Sequence, residues 1–131
     1  MKMTTKSLAL AGALALSLPA LAAAQGGGFT VDPAQAAAGK KIYMNKGCGG
    51  CHQIGRASSS PDLAGVQDRR SMEWLTKWLT DTKNMLETDS TAKALLAEYK
   101  GMRMPQQRIS AAEAEQVVHY IAQESAKVKK K

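Results

Sequence analysis

The stretch "NKGCGGCHQIG", residues 45–55, contains both cysteines of the chain and places a histidine directly after the second one. Two thiols and an imidazole within five residues can hold a metal ion, form a redox-active disulfide, or carry a covalently attached cofactor. The rest of the sequence helps to choose between these three uses.

A zinc site and a catalytic disulfide each lack a part that they need elsewhere in the chain. A structural zinc ion takes four ligands, and Cys48, Cys51 and His52 supply three at most, with His119 as the only other histidine. A redox-active Cys-x-x-Cys motif normally opens a helix in a fold that contains strands. No segment here alternates polar and apolar residues over a useful length. Both uses remain as alternatives.

Covalent attachment of haem is the standard meaning of the order Cys-x-x-Cys-His. Two cysteines three residues apart lie on one side of a helical turn, so both sulfur atoms can reach the two vinyl groups of one porphyrin. His52 then follows under the ring, with its imidazole in reach of the iron. Gly49 and Gly50 keep the turn free of bulky side chains. The motif therefore predicts one haem c attached through Cys48 and Cys51.

Residues 1–24 have the order of a secretory signal peptide. Lys2 and Lys6 form a basic head, residues 8–21 are apolar, and small residues follow. The apolar run is shorter than the roughly 20 residues that a spanning helix needs, so a cleaved signal is favoured over an uncleaved anchor. We take cleavage after Ala24, with Ala22 as the alternative. We expect a soluble periplasmic protein without stable membrane insertion.

The remaining residues predict one small all-α domain. Residues 25–31 are glycine-rich and predict a flexible leader, and the lysine-rich residues 127–131 predict a solvated, frayed tail. Residues 32–126 form the domain between them. Aromatic residues make up only 5% of the chain, so a bulky apolar cofactor would help to complete the core.

Capping residues divide this domain into helices separated by loops. Two loops contain Pro61 and Pro105, since proline disfavours a continuing helix. Gly39 costs a helix about 1 kcal/mol relative to alanine, which suggests a close helix crossing. The predicted helices begin at the caps Asp32, Ser71, Asp89 and Ser110, the last with a capping box to Glu113, and end near Gly47, Met85, Tyr99 and Ala126.

The mature chain resembles the small, single-haem class I c-type cytochromes over essentially its whole length. The resemblance rests on "CGGCH" at residues 48–52, on "MP" at residues 104–105, and on Gly39 and Tyr43 answered by Tyr120. It implies a cytochrome c-like fold in which about four to five helices wrap around one covalently attached haem. The first and last helices are expected to cross, with the glycine and the aromatic residues at the crossing.

The resemblance also implies the residues that surround the iron. His52 is the first axial ligand, and the carbonyl group of Pro61 accepts the hydrogen bond of its ring N–H. Met104, followed by proline shortly before the last helix, is the expected second axial ligand. Met102 and then Met85 are the alternatives. The tryptophans of the helix that starts at Ser71 are core residues, haem contacts or both.

The implied function is electron transfer rather than catalysis. Two strong axial ligands leave the iron no open position, so the haem would cycle between Fe(II) and Fe(III) and pass electrons between redox partners. Two alternatives remain open. The first is an electron-relay subunit of a larger respiratory or sulfur-oxidising oxidoreductase. The second is a haem sensor whose methionine ligand is labile.

The charge of the chain predicts the kind of partner. The formal charge is +7, and it is +5 without the two lysines of the signal. Nucleic acid is a poor candidate, because the protein is exported and its arginines do not cluster with aromatic residues. We expect a monomer or a transient complex with redox partners that have acidic docking surfaces. The basic residues expected around the haem edge are Lys40, Lys41, Lys46, Arg56, Arg103 and Arg108.

Overall fold

A computed structural model describes residues 28–129 of the chain. The predicted signal peptide, its cleavage site, the first residues of the leader and the last two lysines lie outside the described residues. Within residues 28–129 every regular element is a helix. None of these helices is both long enough and apolar enough to cross a membrane.

Six α-helices and one 3-10 turn make up the regular structure of the described residues. In chain order they are α1 (Pro33–Asn45), the 3-10 turn (Cys48–Gly50), α2 (Val66–Arg69), α3 (Met72–Thr80), α4 (Thr82–Thr88), α5 (Ser90–Glu98) and α6 (Ala111–Val128). The all-α architecture that the sequence predicts is confirmed, with six α-helices among residues 28–129 where about four to five were expected.

The first and last helices, α1 and α6, cross in direct contact. Gly39 is buried there, and a β-carbon at this position would collide with the carbonyl oxygen of Gln116 on α6. Beside it, the rings of Tyr43 and Tyr120 lie 5.2 Å apart between centroids at an angle of 60°, a favourable tilted arrangement. The crossing therefore needs a residue without a side chain, which explains a glycine inside a helix.

The predicted helix starts are present. The Asp32 carboxylate accepts from two backbone N–H groups of the first turn of α1, and Ser110 and Glu113 form the capping box of α6. The end of α6 differs, since the helix continues to Val128 rather than Ala126. Lys129 then pairs with Asp68 at 3.1 Å, so the described part of the predicted tail contacts the domain.

The helix predicted from Ser71 to Met85 is wrong in one respect, because it is divided in two at Asp81. Asp81 has φ −140° and ψ 44°, outside the helical region. The hydroxyl groups of Thr80 and Thr82 donate to carbonyl oxygens of α3, and such side-chain bonds compete with the helical backbone ladder. Met85 consequently lies in the middle of α4.

The predicted loop with Pro61, residues 53–70, contains a short helix, α2, that the sequence does not predict. It begins after Gly65, whose φ of +70° suits a residue without a β-carbon. The Gly65 N–H donates to the buried Ser125 hydroxyl at 3.0 Å. This contact with α6, 60 residues along the chain, supports a turn that the local sequence does not announce.

The core consists of two buried clusters with the tryptophans of α3 between them. The larger lies between α1, α3 and α6, and the smaller is formed by Met85, Leu86 and Ala92 of α4 and α5. Trp74 and Trp78 pack against both clusters. Their rings are stacked, with centroids 5.5 Å apart and planes within 9°. The two rings therefore contact both core clusters, and they also line a cavity.

Candidate functional site

A cavity of about 500 Å³ opens beside the paired tryptophans. Its volume falls within the range of roughly 300–1,000 Å³ that is usual for cofactor sites. Its wall is mostly apolar, and apolar side chains of α3, α5 and α6 contribute to it. The structure brings all five residues predicted to contact a cofactor to this cavity, namely Cys48, Cys51, His52, Pro61 and Met104.

The two cysteines lie on a tight turn at one end of the cavity. Gly47 adopts a left-handed conformation with φ +68° and starts the 3-10 turn, and the N–H groups of Cys51 and His52 both donate to the carbonyl oxygen of Cys48. Cys48 is half-buried and Cys51 is exposed, and no disulfide joins them. Burial raises the pKa of the Cys48 thiol, which keeps it protonated at neutral pH.

A hydrogen bond at the ring nitrogen Nδ1 orients the His52 side chain. Its Nδ1 lies 3.1 Å from the carbonyl oxygen of Pro61, so the predicted contact between these two residues is present. Because a carbonyl group only accepts, Nδ1 is the donor of this bond, and in the neutral tautomer that fits it the lone pair is on Nε2. A neutral imidazole oriented in this way is the usual form of a metal ligand.

Tyr43 links this segment to the helix crossing. Its hydroxyl donates to the carbonyl oxygen of His52 at 3.2 Å, while its ring packs against Tyr120. Burial raises the pKa of Tyr43 to about 12. The phenol therefore remains a neutral donor over the whole physiological pH range.

The methionines occupy different environments. Met104 is half-buried, lines the cavity and packs against the larger core cluster. Met102 also lines the cavity, but 55% of it is exposed. Met85 is 1% exposed, belongs to the smaller cluster and is absent from the cavity wall. Met44 is 64% exposed on α1, and Met72 packs against the larger cluster.

Two arginines at the cavity were not predicted as site residues. Arg69 donates to the carbonyl oxygens of Ala64 and Asp62, and Arg70 lies 5.6 Å from the ring centroid of Trp74, within cation–π distance. Both line the cavity. Only their position just before the cap of α3 could have drawn attention to them, because α2 was not foreseen.

Only some of the basic residues expected around the haem edge lie at the cavity. Lys46 and Arg103 belong to its wall, whereas the other four do not, namely Lys40, Lys41, Arg56 and Arg108. With Arg69 and Arg70, four positive side chains of the described residues border the cavity, against the two carboxylates of Asp62 and Glu98. An anionic group at its rim would therefore find several cations.

The geometry gives less support to a zinc site and to His119 as a metal ligand. Among residues 28–129, no group of three or more His, Cys, Asp or Glu side chains could hold a metal ion. The second histidine, His119, lies on α6 and its Nδ1 accepts from the Asp32 N–H at 3.1 Å. Its ring packs on Phe29 with centroids 4.8 Å apart. His119 therefore helps to stabilise the start of α1.

The residues present fit a large apolar cofactor attached through sulfur. Two unpaired thiols and the His52 imidazole lie at one end of the cavity, a thioether lies elsewhere on its wall, and most of the wall is apolar. This combination is what a haem c site requires.

Comparisons with known proteins point the same way. The cytochrome c family model matches residues 36–125. Cytochrome c from Rhodothermus marinus has a similar structure, with a TM-score of 0.66 and 24% identity over 75% of this chain and 82% of that chain. An engineered form, Rma TDE, bound to a carbene intermediate gives 0.62 and 24% over 76% and 84%. At this identity the likeness shows the fold. No curated protein matches the sequence.

Proposed function

The chain belongs to the cytochrome c family, and from this premise we propose that it binds one haem c covalently and carries single electrons between redox partners. One observation carries the proposal. A single apolar cavity has both cysteine thiols, the His52 imidazole and the Met104 thioether on its wall. When bound, haem supplies the one-electron couple between Fe(II) and Fe(III).

Cys48 and Cys51 attach the cofactor and His52 binds its iron in this proposal. The two sulfur atoms fix the porphyrin at the cavity end where the 3-10 turn lies. The hydrogen bond from His52 to the Pro61 carbonyl orients the imidazole and keeps Nε2 free for the metal. It also makes the imidazole a stronger metal ligand. Pro61 thus acts on the iron through His52.

Met104 completes the coordination. It is preferred to Met102, which is more exposed, and to Met85, which is buried away from the cavity. A methionine opposite a histidine raises the reduction potential of haem iron. The apolar wall contributes in the same direction, because a low-dielectric surrounding disfavours the extra positive charge of the oxidised state. Arg69 and Arg70 at the rim suit the two haem propionates.

A carrier is preferred to an enzyme, because two protein ligands leave the iron no position for a substrate. The alternative is a sensor with a labile methionine. The engineered cytochrome c of similar structure was obtained with a carbene intermediate bound. Carbon monoxide binding should therefore be used to test whether the iron in this chain has an open position. A third possibility, a relay subunit of a larger respiratory or sulfur-oxidising oxidoreductase, uses the same site and would be recognised by co-purification with a large partner.

The remaining parts of the proposal concern place and partners. The N-terminal sequence supports export and a periplasmic location. The positive charge around the cavity supports brief encounters, as a monomer, with redox proteins that have acidic docking surfaces. Contacts of this kind are small, below about 1,200 Å².

Absorption spectra of the oxidised and reduced protein test the proposal. We expect covalent haem and, in the oxidised protein, the weak near-infrared sulfur–iron band. Met104→Ala should abolish that band, lower the potential and let the reduced protein bind carbon monoxide. Met102→Ala is the matched control and should keep the band. The ligand assignment is wrong if the two variants behave the other way round.

A further inference from the structure

The loop between α5 and α6, residues 99–110, carries Met104 and has little regular structure of its own. Lys100 and Arg108, one near each end, have φ values of 56° and 50°. Left-handed backbone is unfavourable for residues with a side chain. The loop therefore depends on contacts with the rest of the protein to keep its conformation.

One of these contacts is made by Gln106 with both ends of its side-chain amide. Its Oε1 accepts from the Lys83 N–H at 3.1 Å, and its Nε2 donates to the Thr80 carbonyl oxygen at 2.5 Å. Thr80 ends α3 and Lys83 lies in the first turn of α4. Helix ends leave such backbone groups without intrahelical partners. Gln106 thus bridges the break between the two helices.

The other side-chain contacts between this loop and the rest of the protein are weaker candidates for this role. The ion pair between Arg103 and Glu87 measures 2.9 Å, but the two side chains are 55% and 61% exposed, and exposed pairs contribute little. Lys46 donates to the Arg108 carbonyl oxygen at 3.3 Å, and this bond lies at the surface, as do the two bonds of Gln106. Each of these joins the loop to one group, whereas Gln106 joins it to two.

We propose that Gln106 is a positioning residue, which fastens the Met104 loop to the break between α3 and α4 and so holds Met104 against the cavity. Pro105 is the only residue between them, and its fixed φ passes the restraint on to the Met104 backbone. This inference rests on the proposed function, in which Met104 binds the haem iron.

The physical consequence follows from a two-state equilibrium of the loop. External ligands bind only when Met104 is away, so their apparent affinity is proportional to the fraction of open molecules. Removing the two hydrogen bonds of Gln106 favours the open state. We expect Gln106→Ala to tighten carbon monoxide binding to the reduced holoprotein about tenfold, which corresponds to about 1.4 kcal/mol. The near-infrared band should weaken with heating earlier than in the wild type.

The matched control is Glu87→Gln, which removes the charge attraction between Glu87 and Arg103 of the same loop without changing the loop sequence. We expect less than a twofold change in carbon monoxide affinity. Because the two bonds of Gln106 are also absent from the unfolded chain, Gln106→Ala should lower the free energy of unfolding by no more than about the same 1.4 kcal/mol, and its near-infrared band should be lost at a lower temperature than its helical signal. A general loss of stability would instead move the helical signal and the ligand affinity together.

Gln106→Glu adds a second, reversible test. Its carboxylate can still accept from Lys83, but it cannot donate to Thr80 until it is protonated, near pH 4.3 for an ordinary glutamate. Carbon monoxide affinity of this variant should therefore fall back toward the wild-type value between pH 7 and pH 4. The ratio between Gln106→Ala and wild type should stay constant over that range.

The outcomes separate the two proposals. If the wild type has no near-infrared band, Met104 is not the ligand and the proposed function loses that part. If the band is present but Gln106→Ala binds carbon monoxide as the wild type does, only the role of Gln106 is overturned. The same holds if Glu87→Gln matches Gln106→Ala, because the loop would then be held by its surface contacts in general.

Discussion

The two ends of the cavity are held in different ways. At the attachment end, residues 45–61, the bonds are local: His52 bonds to Cys48, Pro61 and Tyr43, none more than nine residues away. At the Met104 end, Gln106 bonds to residues 23 and 26 positions away, and Lys46 of the attachment end reaches the Arg108 carbonyl oxygen, 62 positions away. The attachment end is therefore specified by its own short sequence, and the methionine end by the assembled fold.

The largest expected effect comes from breaking the attachment end. Replacing Cys48 and Cys51 together with serine should abolish covalent haem and leave the chain largely unfolded, because the cofactor supplies much of the core between the two buried clusters. Far-ultraviolet circular dichroism and the haem content of the purified protein measure both effects. A double variant that is compact, helical and as stable as the wild type would show that the core does not depend on haem.

The second effect tests the helix crossing behind the attachment end. Gly39→Ala puts a methyl group against the Gln116 carbonyl oxygen, and we expect the free energy of unfolding to fall by about 1–3 kcal/mol. Denaturant unfolding of the holoprotein measures it. Gly28→Ala is the control, since a β-carbon there meets nothing within 4 Å. An equal result for the two variants would mean that the crossing separates without cost.

How much could be predicted from sequence follows the same division between local and distant contacts. The attachment motif, the helix caps and the cost of Gly39 are local signals, and each led to the correct element. The break at Asp81 was missed because the apolar stripe of α3 has no local stop signal, and the bridge that spans the break comes from Gln106. Likewise α2 depends on Ser125 of α6. No pattern within ten residues reveals such contacts.

The third effect sharpens the comparison by removing one side-chain bond at the attachment end. Tyr43→Phe keeps the ring at the crossing but loses the bond to the His52 carbonyl oxygen, and should lower the free energy of unfolding by about 1 kcal/mol at pH 7. The spectrum should stay unchanged, because local main-chain bonds still hold His52. Loss of the near-infrared band would contradict this account.

The same variant has a defined pH dependence. Burial raises the pKa of Tyr43 to about 12, from an ordinary value near 10. A neutral phenol that is favoured by folding stabilises the protein fully below pH 10, and this contribution is lost as pH rises toward 12. The stability difference between wild type and Tyr43→Phe should therefore shrink over that window. Burial also raises the pKa of Tyr120, so Tyr120→Phe should converge with wild type in the same direction, and only Tyr43→Phe also loses the bond to the His52 carbonyl oxygen.

The smallest effect concerns the charges that border the cavity. Lys46 lies at the cavity and Lys40 lies on α1 away from it, so substituting each with glutamine removes the same charge at two places. One charge about 10 Å from an acidic group in water contributes about 0.4 kcal/mol, a factor of about two in rate. Electron transfer to an acidic partner, measured by stopped flow, should slow about twofold at low salt for Lys46→Gln and hardly at all for Lys40→Gln.

Salt should remove this difference, because charges are screened over about 8–10 Å at ordinary ionic strength. The wild-type rate should also fall as ionic strength rises, through the association step. Lys46 further holds the Arg108 carbonyl oxygen, so carbon monoxide affinity should be measured in parallel to detect loosening of the Met104 loop. A wild-type rate that is flat or rises with salt would mean that docking is apolar. Lys46 would then belong to the loop rather than to steering.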